Sequence, residues 1–156
     1  MRPLRTAAVA VSLLLLVLAT PSLAGCSLVG RPDASGWDQK AQLALDDAAS
    51  EVGTARLALR AAHEHRTWSG YTTVLVADAE KAAATAEEDL SRLQVPSGRA
   101  DAASTALDLL GRAADATRQV RAMAVAGRYD DPALEKELAR LAGALQREAT
   151  RAESRG

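Results

Sequence analysis

Few side chains in these 156 residues carry distinctive chemistry: one cysteine, two histidines, two tryptophans, two tyrosines and two methionines. The cysteine, Cys26, directly follows Leu23-Ala24-Gly25, of which Ala24 and Gly25 are small enough to let a peptidase reach the backbone. With no second cysteine a disulfide is excluded, so in an exported chain this thiol calls for another covalent fate. His63 and His65 stand two apart and point to different faces of a helix, so they cannot chelate as an i, i+4 pair would. His63 and Met123 have the chemistry of axial ligands for a haem iron. No Cys-x-x-Cys-His attaches a haem, and no Glu-x-x-His pair recurs as carboxylate-bridged metal bundles require. No metal or other cofactor is expected. The hydroxyls have no histidine at useful spacing other than His63 and His65, and no glycine-rich loop follows a strand. The chain is therefore expected not to be an enzyme.

The residues around Cys26 specify an address. Arg2 and Arg5 precede an apolar run from Ala7 to Ala19, and Thr20-Pro21-Ser22 then breaks the helix. This is the layout of a signal peptide over residues 1–25, with an apolar run shorter than the ~20 residues of a membrane span. Leu23-Ala24-Gly25-Cys26 resembles the lipobox of bacterial lipoproteins. The resemblance implies a diacylglyceryl group on Cys26, cleavage before it, and attachment to the outer face of the cell membrane. Two or more acyl chains hold a protein on a bilayer stably where one would not. Residues 26–36, with Gly30, Pro32 and Gly36 and no apolar period, read as a lipidated tether.

Cleavage before Cys26 leaves 131 of the 156 residues, and losing Arg2 and Arg5 from 19 basic residues leaves 17 against 20 acidic ones, a net charge of −3. That is enough chain for one domain and one core. A mildly acidic surface excludes nucleic acid as an expected partner and provides no basic patch for anionic lipid. Alanine and leucine dominate, while phenylalanine and isoleucine are absent. That composition favours helix over strand.

Four helical segments follow the tether, expected over about Asp38–Thr67, Thr72–Gln94, Arg99–Ala126 and Pro132–Glu153. In the first, Leu45, Ala48, Val52, Ala55, Leu59 and Ala62 alternate at three and four residues. Val76, Ala79, Ala83, Ala86, Leu90 and Leu93 repeat the pattern in the second. The third carries Ala103, Ala106, Leu110, Ala113, Thr117, Val120 and Ala124; the fourth carries Leu134, Leu138, Leu141, Leu145, Ala149 and Ala152. Each set forms one apolar seam. Ser69-Gly70, Val95-Pro96-Ser97-Gly98 and Gly127 separate the segments, and Asp131-Pro132 supplies an N-cap followed by proline at the first helical position. Connections this short force antiparallel neighbours. The fold expected over residues 37–156 is an all-α, up-down-up-down four-helix bundle.

That topology sorts the unusual residues by height. Trp37, the turn at Pro96 and the C-terminus fall at the tether end. His63, His65, Trp68 and Tyr71 from the first hairpin, with Met123 and Tyr129 from the second, fall at the other. This tip has two readings. Its aromatics form a binding surface, since Trp and Tyr dominate interface hot spots, or Trp68 and Tyr71 plug the open end of an alanine-filled bundle. Bundle ends commonly need a bulky cap, so the plug is the expectation carried forward. The acidic groups Asp46-Asp47 and Glu87-Glu88-Asp89 read as solvated helix faces.

The signal, tether and alanine–arginine-rich helices together resemble the small helical lipoproteins of actinobacteria. The resemblance implies surface anchoring and carries no active residues. The expected function is a non-catalytic, lipid-anchored binding module, with membrane lipid held through Cys26 and an envelope protein or ligand as partner. The alternative is an extracytoplasmic small-ligand receptor using the alanine-lined interior or the tip, followed by a metal- or haem-binding bundle.

Overall fold

The computed structural model describes residues 33–156. The signal peptide expected over residues 1–25, the acylation expected at Cys26 and the expected tether as far as Pro32 lie outside them. Four helices account for most of the described chain: α1 Ala34–His63, α2 Ser69–Ser91, α3 Ala100–Val125 and α4 Pro132–Arg155. Helix α1 starts inside the expected tether and ahead of the expected Asp38. Asp33 is its N-cap, and the carboxylate accepts the backbone N–H groups of Ser35 at 3.3 Å and Gly36 at 3.2 Å. Satisfying those orphan donors outweighs the weak helix propensity of Gly36. Helix α4 begins as expected, with Asp131 accepting the Leu134 N–H at 2.9 Å and Pro132 in the first turn.

Helices α1 and α3 end in the same way. The Arg66 N–H reaches the Ala61 carbonyl at 2.8 Å and the His65 N–H reaches Ala62 at 3.1 Å, while Arg128 reaches Met123 at 3.0 Å and Gly127 reaches Ala124 at 3.1 Å. This reverse-turn closure needs one left-handed residue. In α3 it is Gly127 (φ 65°), and in α1 it is His65 (φ 55°). The turn at His65 stops α1 at His63 instead of the expected Thr67.

Every seam residue anticipated in α1, α3 and α4 is buried, as are those of α2 except the half-buried Leu93. Helix α1 packs against all three others, α2 against α3, and α3 more sparsely against α4; α2 and α4 do not meet. The bundle section is thus a flattened lozenge whose short diagonal joins α1 and α3. Buried Ala41, Ala48, Ala55 and Ala62 recur every seventh residue along α1. They lie between its α2-facing and α4-facing sides, where only a small side chain lets a third helix come close. Alanine burial contributes little energy each, so the leucines carry much of it, at about 1.5–3 kcal/mol per fully buried side chain. Leu138, Leu141 and Leu145 of α4 are fully buried.

Residues Arg31–Gly156 form one compact unit. All four helices, the whole described core and every ion pair named below fall inside it. It has what a domain needs to fold by itself.

Candidate functional site

The α1–α2 and α3–α4 connections lie at the same end of the bundle, opposite the start of α1, so the residues grouped there by topology do share one height. Their environments differ sharply. Trp68 occupies the N-cap position of α2 with its side chain 86% exposed, and Tyr71, one turn on, is 60% exposed. Val74 continues the line at 61%. The Trp68 backbone is held firmly, since its carbonyl accepts the Thr72 N–H at 2.9 Å and the Thr72 hydroxyl at 3.1 Å. The Thr67 and Thr72 hydroxyls are 2.9 Å apart. The indole is therefore presented to solvent from a fixed backbone.

This overturns the plug. Trp68 and Tyr71 do not fill the bundle end. Met123 does, buried within the core cluster, and it is withdrawn from the tip surface because its side chain packs inward beside the last turn of α3. Tyr129 is half-buried against the same cluster, and its hydroxyl donates to the Ala124 carbonyl at 3.4 Å. His63 and Tyr129 line a recess of about 140 Å³ together with Leu59, Arg60, Asp131 and Glu135, and neither Trp68 nor Tyr71 lines it. His65 is exposed on the left-handed turn. The six expected tip residues thus divide into an exposed α2 patch (Trp68, Tyr71), a shallow recess (His63, Tyr129), an exposed turn residue (His65) and a core residue (Met123).

The recess is electrostatically braced. Glu135 receives the Arg60 Nε–H at 3.0 Å and lies 3.5 Å from Arg56. The Arg60 hydrogen bond, helped by the charges of Arg60 and Arg56 and opposed by burial, holds its carboxyl below the usual carboxylate range. This pair ties α1 to α4 near the tip.

A second charged cluster, absent from the sequence expectations, sits at the opposite end. Asp38 is fully buried, and its carboxylate accepts the Arg99 Nε–H at 2.8 Å and 3.0 Å on its two oxygens. It also accepts the Arg155 Nε–H at 3.3 Å. Arg155 in turn contacts the buried Glu148 at 3.3 Å, and Glu148 pairs with Arg151 at 2.8 Å. Two carboxylates and three guanidiniums tie the start of α1, the residue before α3 and the end of α4. The partners of Asp38 are 61 and 117 residues away along the chain. Nothing local marks Asp38 except its position next to the buried Trp37.

A further recess lies between α1 and α2 towards that same end. It is an open groove of about 490 Å³ with Leu43, Ala44, Leu90 and Leu93 among its walls and Asp47 and Asp89 on its rim. Leu43 is 56% exposed. Among the described residues, no group of three or more His, Cys, Asp or Glu is placed to hold a metal ion, and no helix is long and apolar enough to cross a membrane.

Comparison with known proteins returned no matching family model, no matching curated protein and no matching solved structure.

Proposed function

We propose that this chain is a lipid-anchored, extracytoplasmic helical module that binds a partner in the cell envelope and performs no catalysis. Acylation of Cys26 holds the start of α1 at the outer face of the cell membrane. The bundle then acts as a rigid spacer, about 45 Å along the 30-residue α1 at ~1.5 Å per residue, which carries its far end away from the bilayer. The observation that carries the reading is the exposure of Trp68 at that far end, in line with Tyr71 and Val74. A tryptophan left in water on a fixed backbone costs hydrophobic free energy that burial against a partner returns. The small-ligand alternative is less well supported, because the seam residues fill the interior and the α1–α2 recess is an open groove.

Two substitutions test the two halves separately. Cys26→Ser moves the protein out of the membrane fraction or leaves its signal unprocessed; unchanged processing and retention remove the anchor. Trp68→Ala lowers partner recovery by in-cell cross-linking while leaving the melting temperature unchanged. Equal recovery removes the binding patch.

A further inference from the structure

On the side of α1 away from its buried seam runs a second stripe at the same three–four spacing: Leu43, Asp47, Ser50, Thr54, Leu57 and Ala61. None of these is buried, and Leu57 is 61% exposed. Helix α2 has a stripe at the same spacing in Tyr71, Leu75, Asp78, Ala82, Thr85 and Asp89, continued just past its end by Leu93, also outside the buried set. Apolar residues at such spacing let a face meet another helix, and on α1 the large ones are the exposed Leu43 and Leu57, two heptads apart. One end of each stripe borders the α1–α2 groove, whose walls include Leu43, Asp47, Asp89 and Leu93.

The charge along this face is one-sided at its middle. Burial, and after it the charges of Asp47 and Asp78, raises the Glu51 carboxyl above the usual range. Among the described residues, none of Asp47, Glu51 and Asp78 enters an ion pair. Elsewhere the molecule neutralises carboxylates between helices: Glu135 with Arg56 and Arg60, Glu80 with Arg118 and Arg121, Asp38 with Arg99 and Arg155. Nearby basic residues are Lys40 and Arg92 at one end and Lys81 one turn from Asp78, and Arg92 is already engaged by Glu88 and Asp89.

We propose that the α1–α2 face is a docking groove for a basic amphipathic helix of a partner protein. This rests on the reading of Trp68 and Tyr71 as a binding patch and extends it along the bundle. One apolar seat is the Leu43–Leu93 groove; the other is the exposed Leu57 of α1 with, nearer the tip, Tyr71 and Val74 of α2. The 14 residues from Leu43 to Leu57 place these seats about 21 Å apart, two heptads of an incoming helix. Between them the acidic middle meets lysine or arginine on the partner. A second copy of this chain fits poorly, because a two-fold pairing would set acidic middle against acidic middle.

The test uses the Arg31–Gly156 unit and two labelled synthetic helices of three heptads each. Both carry leucine on one face; the other positions are lysine in one and glutamate in the second. Fluorescence anisotropy is expected to show the lysine helix binding at least about tenfold more tightly than the glutamate helix. Asp47→Asn with Glu51→Gln and Asp78→Asn is expected to weaken it about tenfold, and so is Leu43→Ser with Leu93→Ser. The three carboxylates repel one another and Leu43 is exposed, while Leu93 is half-buried against the core, so circular dichroism checks that each variant stays folded. Asp108→Asn with Asp115→Asn and Glu137→Gln, on α3 and α4, is expected to leave binding unchanged. Three results overturn the proposal: no binding of the lysine helix, equal weakening by the α3–α4 set, or a solution dimer that Leu43→Glu disperses. A Trp68→Ala variant separates the two levels. If it weakens binding while the groove variants do not, the groove fails and the tip patch survives; if neither matters, both fail.

Discussion

Replacing Asp38 by asparagine removes one charge from a fully buried site while keeping its size. Arg99 and Arg155 then lose the carboxylate that both contact, Arg99 through a two-pronged arrangement at 2.7–3.0 Å. Breaking a buried pair by deleting one partner costs about 3–5 kcal/mol, because the remaining charge is left uncompensated. Both arginines keep part of their surface in water and can turn outward, which puts the expected cost near the lower end, about 3 kcal/mol. Unfolding entropy of ~2.1 cal/mol/K per residue over a unit of about 125 residues gives roughly 260 cal/mol/K, so the midpoint should fall by about 11 °C. Thermal melts followed by circular dichroism measure it, with Arg92→Ala as the reference for an exposed i, i+4 pair (Arg92–Glu88), expected to cost only a few tenths of a kcal/mol. The Asp38 effect should also persist in high salt, which screens surface pairs far more than buried ones. A double-mutant cycle with Arg155→Met isolates the coupling. An Asp38→Asn melt within about 2 °C of wild type would refute the view that this network locks the α1–α4 end.

Three further outcomes follow from single residues. Because Glu135 is held below the usual carboxylate range by Arg60 and Arg56, its contribution is complete above the unfolded value of about 4.3 and disappears as pH falls through the folded one. Glu135→Gln should therefore lower the midpoint at neutral pH and converge on wild type in acid, and parallel curves would exclude the linkage. His65 holds a left-handed conformation at φ 55°, so His65→Gly should stabilise by about 0.5–1 kcal/mol after glycine's own entropic cost; chemical denaturation detects it, and a loss of stability would mean that the imidazole makes a compensating contact. Trp68→Ala should change stability by no more than about 0.5 kcal/mol and should abolish the fraction of tryptophan emission quenched by iodide, since Trp37 is buried; quenching unchanged by the substitution would place Trp68 inside.

The buried seams, the four helices and the antiparallel order were legible in the chain itself. Their physics is local and periodic: a 3.6-residue repeat puts Leu45 through Ala62 or Leu134 through Ala152 on one side whatever the surroundings. The Asp131-Pro132 start and the Gly127 stop were legible for the same reason, because caps and left-handed turns act within a few residues. Even so, His65 was not recognised as a stop, since histidine in that conformation has no sequence signature comparable to glycine's.

What only the tertiary structure decided is where side chains of similar character go. Trp68 and Met123 both belong to the same end by topology, yet one is exposed and the other is core, because height along a bundle does not determine which way a residue faces. Nothing local sets Asp38 apart, and the packing of α1, α3 and α4 brings Arg99 and Arg155 to it from 61 and 117 residues away, while Glu148 pairs within α4 and is buried only by that packing. The second stripe on α1 and α2 is present in the sequence, but so are alanines on nearly every face, and helical periodicity in an alanine-rich chain marks several possible seams. Burial selects among them only when all four helices compete for the same core. The seams rich in leucine and closely fitting alanine close inward, leaving Leu43, Leu57, Tyr71 and Val74 in water.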